Sequence, residues 1–157
     1  MISVIGIGNA ASSIVENFKT QKNNYKVYQL GSNQKNTKYT KKLKHFSNPE
    51  DYEQNIPDLS KFFGDIGENI QVFVVGSSYS SNYTLGILQQ IKNKNLEVFY
   101  IRPDVELLTG IPKLLENMMF GVLQEYARSG LFKSLTILSN LEVENSIPGL
   151  AIKNYYE

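Results

Sequence analysis

Residues 70–86 read IQVFVVGSSYSSNYTLG. Gln71 apart, the first six are apolar, as in a parallel strand buried on both faces, and not alternating as in a half-exposed one. Gly76 ends the run, a loop of serines, tyrosines and Asn82 follows, and Leu85, Leu88 and Ile91 then recur at helical spacing ahead of the polar KNKN. Strand, loop and helix in that order make half of a βαβ unit. In sheets built of such units, ligands sit outside the carboxyl ends of the strands. The loop at 76–84 therefore bears on both the fold and what it binds.

The same order repeats on either side. Residues 2–7, ISVIGI, are a β-branched apolar run that ends in Gly6-Ile7-Gly8-Asn9 and leads into AASSIVENF, where Ile14 and Phe18 have helical spacing. Residues 25–30, YKVYQL, predict a second strand that stops at Gly31-Ser32-Asn33. The polar segment 33–48 follows, long enough to read as a flexible lysine-rich excursion. Pro57 with Leu59, Phe62 and Phe63 predicts a short helix. Residues 96–101, LEVFYI, form another strand, ended by Arg102-Pro103. The longest helix spans 111–130, with an apolar stripe of Leu114, Leu115, Met118, Met119, Val122, Leu123 and Tyr126, and Gly130 as its stop. Its methionine pair reads as core filling. Residues 133–138, KSLTIL, make the fifth strand. This alternation predicts a three-layer α/β fold: a mostly parallel, Rossmann-like sheet of about five strands with helices on both faces. Its ligand loops are GIGNAAS and GSSYSSNYT, after the first and third strands.

The 157 residues suffice for one domain with a real core. No run approaches the roughly 18 apolar residues of a membrane helix, and MISVIGIGNAA has no basic leader or cleavage pattern. With no cysteine there is no disulfide framework, thiolate metal site or cysteine nucleophile, and a cytoplasmic protein is expected. The net charge of +1 divides unevenly: residues 1–45 carry eight lysines against Glu16 alone (+7), and residues 46–157 carry eight basic residues against fourteen acids (−6). Lys35, Lys38, Lys41, Lys42 and Lys44 form the densest patch. It reads mainly as a solvated loop, with nucleic acid or an acidic protein surface as the functional alternatives. The asymmetry also suits head-to-tail self-association.

Gly6-Ile7-Gly8-Asn9 has the small residues that let a phosphate approach a helix N-terminus. Ala11 stands in the third position of G-x-G-x-x-G, no acidic residue follows the second strand to take a ribose hydroxyl, and there is no Gly-Lys-Ser/Thr. A tight strand–helix turn without a ligand explains the glycines about as well.

Gly6, Gly8 and Asn9, then VFVVG at 72–76, then KSLTILSN at 133–140 together form an ordered set. In this the chain resembles the tubulin/FtsZ family, which has GGxGxN after its first strand, VFVTAG before the signature GGGTGTG, and DSLIVIPN on a later strand. The resemblance covers nearly the whole chain and implies the fold of the family's nucleotide-binding domain. It places nucleotide-binding positions at Gly6, Gly8, Asn9, Ala10, Gly76, Ser78, Ser80, Ser81, Asn82 and Thr84, and implies GTP or GDP with Mg2+ if the site is kept. Laid without gaps, however, GGGTGTG falls on Ser78, Tyr79, Ser80, Ser81, Asn82, Tyr83 and Thr84, and every glycine is gone. Glycine serves such a loop by reaching positive φ and by leaving backbone amides uncovered; other residues pay about 1–2 kcal/mol there. Tyr79 and Tyr83 are expected to occlude the site. Where the family has PFxFEGxxR, residues 102–110 keep a proline and an acid but not the arginine at its spacing. The family's acidic hydrolysis loop and second domain have no counterpart, so the chain resembles a tubulin-like N-terminal half, either a piece of a longer protein or a short relative.

Little other chemistry is legible. His45 lies among lysines without a carboxylate or serine pattern, and there is no H-E-x-x-H or G-x-S-x-G. Asp104 and Glu106 are a candidate Mg2+ pair after the fourth strand. No catalytic residue emerges, and the expectation is a non-enzyme, or a GTPase if it is one. The leading expectation is a tubulin/FtsZ-like domain with a degenerate GTP site that works by self-assembly or binding to another protein, away from membranes. The alternatives are an active divergent GTPase or other nucleotide-binding protein, and a nucleic-acid-binding module using 35–44. The Asn-, Lys- and Ile-rich composition resembles that of AT-rich genomes, marine bacteria and their phages among them.

Overall fold

The structure, a computed structural model, describes residues 2–20, 25–44, 51, 54–75, 83–102, 110–130 and 132–139. Six strands are present among them: β1 (Ile2–Ile7), β2 (Tyr25–Gly31), β3 (Thr40–Lys42), β4 (Asn69–Val75), β5 (Asn95–Arg102) and β6 (Ser134–Ser139). All adjacent pairs are parallel, in the order β3-β2-β1-β4-β5-β6. This is the order of a doubly wound sheet, with its topological switch point between β1 and β4.

The strands fall where the apolar runs predict them, to within a residue at each end. Side-chain parity then sorts the core. Val4, Val27, Phe73, Val75 and Ile101 face α1 (Asn9–Val15) and meet Ala11, Ile14 and Val15. Ile5, Ile7, Leu30, Val72, Val74, Val98 and Tyr100 face the other way, toward α2 (Thr84–Gln90) and α3 (Gly110–Arg128). Gly6 sets how closely α1 lies: a Cβ there would come within 2.8 Å of the Ala11 carbonyl oxygen and the Val15 side chain.

Four expectations are corrected. A sixth strand, β3, arises inside the 33–48 segment, where Thr40–Lys42 pair with Gln29, Leu30 and Gly31. The run after α1 tightens into a 3-10 helix at Glu16–Thr20. Residues 60–65 form turns, not a helix: the Phe63 N–H reaches back four residues to the Leu59 carbonyl (2.9 Å), but the Gly64 and Ile66 N–H groups then reach back only three, to Lys61 (3.2 Å) and Phe63 (3.1 Å). Leu59 and Phe63 are buried all the same. In α3 the described contacts with the core come from Phe120, Leu123, Tyr126 and Ala127, while Leu114 and Met118 of the expected stripe are each 58% exposed. Gly130 does end that helix region at positive φ (+83°).

Gly6→Ala is expected to lower unfolding free energy by about 1–3 kcal/mol, because the neighbour is backbone and cannot move aside. Gly121→Ala, in α3 with no atom within 4 Å of the added Cβ, is expected to raise it by about 0.5–1 kcal/mol. Urea denaturation of the two variants checks both signs, and an unchanged Gly6→Ala midpoint would contradict the close approach of α1.

Candidate functional site at the switch point

In a doubly wound sheet the ligand crevice opens where the strand order reverses, here beside the turn from β1 into α1. β1 leaves the sheet at Gly8, whose φ of 96° and ψ of 164° lie in a region essentially reserved for glycine. That conformation turns the Gly8 N–H onto the carbonyl of Leu30 at the end of β2, at 2.7 Å. The Gly8 carbonyl accepts the Ser12 N–H at 2.9 Å and starts the helix. Gly8, Asn9 and Ala10 thus head α1 as expected, whereas Gly6 lies beneath the helix as a packing residue.

The side chains of the turn bind the protein itself. The Asn9 amide donates to Ser32 Oγ at 2.8 Å, and its Oδ1 accepts the Asn33 N–H at 3.0 Å. A Cβ on Gly31 would collide with that same Oδ1, so the glycine after β2 is what lets Asn9 reach across. The Ser12 hydroxyl is buried between the carbonyls of Leu30 (3.0 Å) and Gly6 (3.3 Å). Below it, Gln29 donates to the Ser12 carbonyl at 2.8 Å and to Glu16 Oε2 at 2.6 Å. Burial pushes the Glu16 carboxyl up, but hydrogen bonds from Gln29 and Lys19 and the charge of Lys19 outweigh it and hold the pKa below the ordinary value. What remains for an anion at this turn is the set of first-turn amides, which have no carbonyl to bond within their own helix.

Of the second loop, Gly76, Ser78, Tyr79, Ser80, Ser81 and Asn82 lie outside the described residues, as do Asp104, Glu106 and His45. Tyr83 and Thr84 are described, and both are buried. Tyr83 packs in the core on the α2/α3 side of the sheet, and its hydroxyl donates to the Lys44 carbonyl at 2.7 Å. It ties the start of α2 to the chain after β3. Thr84 Oγ1 is buried without a hydrogen-bond partner among the described residues. Among the described residues no group of three or more His, Asp or Glu is placed to hold a metal ion, and no helix is long and apolar enough to cross a membrane.

Lys35, Lys38, Lys41, Lys42 and Lys44 lie around β3, at one edge of the sheet. The sequence reading missed their surroundings: Lys61, Phe62 and Tyr28 come from elsewhere in the chain to line a groove with Lys38, Tyr39 and Lys41. Tyr28 lies in the continuously buried part of β2, but nothing local in the sequence pairs it with Phe62, since that contact depends on the turn at 60–65.

Asn9→Ala removes two hydrogen bonds worth about 0.5–1.5 kcal/mol each, so a loss of about 1–3 kcal/mol in stability is expected, with faster amide exchange at Asn33. Denaturation together with hydrogen exchange checks this; an Asn33 amide that exchanges no faster would contradict the bridge. No protein-family model and no curated protein sequence matches the chain, so the chemistry of this turn and its surroundings is what bears on function.

Proposed function

We propose that this chain is a tubulin/FtsZ-like domain whose GTP site is degenerate, and that it works in the cytoplasm by association with copies of itself or with another protein. The observation that carries the reading is the engagement of the β1–α1 turn within the protein. The Gly8 N–H, both ends of the Asn9 amide and the Ser12 hydroxyl are all bonded to β2 and its continuation. A phosphate cradle needs uncovered donors, and the sequence at 78–84 lacks every signature glycine whose freedom of φ would present backbone amides from the other loop. The residues therefore fit GTP and Mg2+ poorly, and no hydrolytic step is drawn through them.

Association is supported by the apolar residues left in the open. Leu114 and Met118 are one turn apart on α3, and Ile137 is 39% exposed on β6, the strand at the sheet edge opposite β3. Large exposed apolar side chains grouped on one element mark contact surfaces. The excess of lysines in residues 1–45 and of acids in the rest of the chain adds a complementary pair of charges for head-to-tail contact.

Sedimentation velocity over a concentration series tests this. The wild type is expected to associate equally with and without GTP and Mg2+, and Leu114→Glu/Met118→Glu to weaken association by about tenfold or more. A wild type that stays monomeric throughout, or that associates only with GTP, would contradict the reading.

A further inference from the structure

The lysines around β3 stand beside aromatic rings that the sequence alone does not bring together. Two grooves flank this edge of the sheet. One, of about 300 Å³, is lined by Tyr28, Lys38, Tyr39, Lys41, Lys61 and Phe62. The other, of about 510 Å³, is lined by Lys19, Tyr25, Lys26, Thr37, Tyr39 and Thr40. The two grooves share Thr37 and Tyr39, and Lys26 of the second donates to the Asp65 carbonyl at the first (3.1 Å).

We propose that this edge binds single-stranded nucleic acid, with the lysines on the phosphates and Tyr39 as the stacking surface for a base. The inference is independent of the proposed self-association and of the GTP site.

Charge is the first support. Lys35, Lys38, Lys41, Lys42 and Lys61 make no ion pair with any described residue, whereas Lys19 pairs with Glu16 (3.1 Å) and Lys94 with Glu68 (2.9 Å). Among the described residues the acids nearby are Asp65, in the first groove, Glu16, paired with Lys19 of the second, and Asp58, whose carboxyl is held low mainly by the Ser60 N–H and less by Lys61. Lysines on an edge strand also deter edge-to-edge pairing. That explains Lys41 and Lys42 on β3, but not Lys61, which comes from another part of the chain to the same groove.

The aromatic surface is the second support. Tyr39 is 36% exposed, and its ring is braced edge-on by Tyr28 at 5.4 Å, with Tyr28 in turn against Phe62 at 5.4 Å. Lys38 Nζ lies over the Tyr39 ring, 5.4 Å from its centre, which sets a charge on one face and leaves a base to stack by displacing it or on the other face. The loop is held in shape: Thr37 Oγ1 accepts the Thr40 N–H at 3.1 Å, Asn36 Oδ1 accepts the Lys42 N–H at 3.0 Å, and the Tyr39 carbonyl accepts the Gln29 N–H at 2.9 Å. A pre-shaped groove with lysines along it and an open ring within it suits unpaired bases, whose faces are free to stack; duplex bases are already stacked on one another.

Fluorescence anisotropy with a labelled oligothymidylate tests the proposal on the full chain. Binding is expected to weaken with salt at a log–log slope of about −3.5, the value for some five phosphate contacts on a single strand. Lys41→Glu/Lys61→Glu is expected to weaken it about tenfold or more, and Tyr39→Ala about fivefold or more. Lys92→Glu/Lys133→Glu makes the same change in net charge away from these grooves and is expected to leave binding within about twofold. Inorganic polyphosphate, which has charge but no bases, is expected to compete poorly, and so is duplex of the same length. Equal losses in the two double variants would overturn the proposal, as would Tyr39→Ala binding like wild type, polyphosphate or duplex competing as well as the single strand, or no binding at low salt. Thermal melts of each variant separate lost binding from lost folding.

Discussion

The carbonyl of Leu30 accepts the Gly8 N–H at 2.7 Å and lies 3.0 Å from the Ser12 hydroxyl. Through it the end of β2 fixes both the turn out of β1 and the first turn of α1. Three glycines make this approach possible, each for its own reason. Gly8 supplies a φ of 96°, Gly6 lets α1 settle onto the sheet, and Gly31 leaves room for the Asn9 side chain. Once α1 is clamped there, its apolar side covers Val4, Val27, Phe73 and Val75 on one face of the sheet. The opposite strand parity is left for α2 and α3, and the order β3-β2-β1-β4-β5-β6 follows from crossovers that turn the same way on either side of β1.

The same interactions shape what the switch point can do. Glycines and small polar residues in such a turn leave backbone amides free for a ligand in one arrangement, and lock two strands together in another. Here Asn9 and Ser12 are drawn into the second role, and Tyr83 is buried with its hydroxyl on the Lys44 carbonyl. Among the described residues, lysines and an exposed tyrosine ring surround β3 at the edge of the sheet.

Much of the fold was legible because parallel strands buried on both faces write themselves as unbroken apolar runs. ISVIGI, IQVFVV and LEVFYI are such runs, and all three are central strands. β3 was not legible, since TKK has no apolar pattern and owes its strand to pairing with β2. The turns at 60–65 were missed because the spacing of Leu59, Phe62 and Phe63 suits a single turn as well as a helix, and after one four-residue bond at Phe63 the amides of Gly64 and Ile66 reach back only three residues. In α3, helical spacing marks which residues share a stripe but not how far along the helix that stripe meets the core. Thus Leu123 is buried while Leu114 and Met118 are not. At the candidate site, Gly8 and Asn9 could be picked out by type and position. Which partner each would take could not, because the Leu30 carbonyl and Ser32 arrive from a different strand. The grooves at β3 were hidden for the same reason, since Lys61 and Phe62 reach them through tertiary packing.

We propose that the turn's donors, engaged within the protein, leave no nucleotide cradle. Calorimetric titration of GTP with Mg2+ into the chain tests it most directly. Only the first-turn amides of α1 remain for a phosphate, so a dissociation constant of about 1 mM or weaker is predicted. Binding at about 1 μM, with turnover that requires Mg2+, would contradict the account.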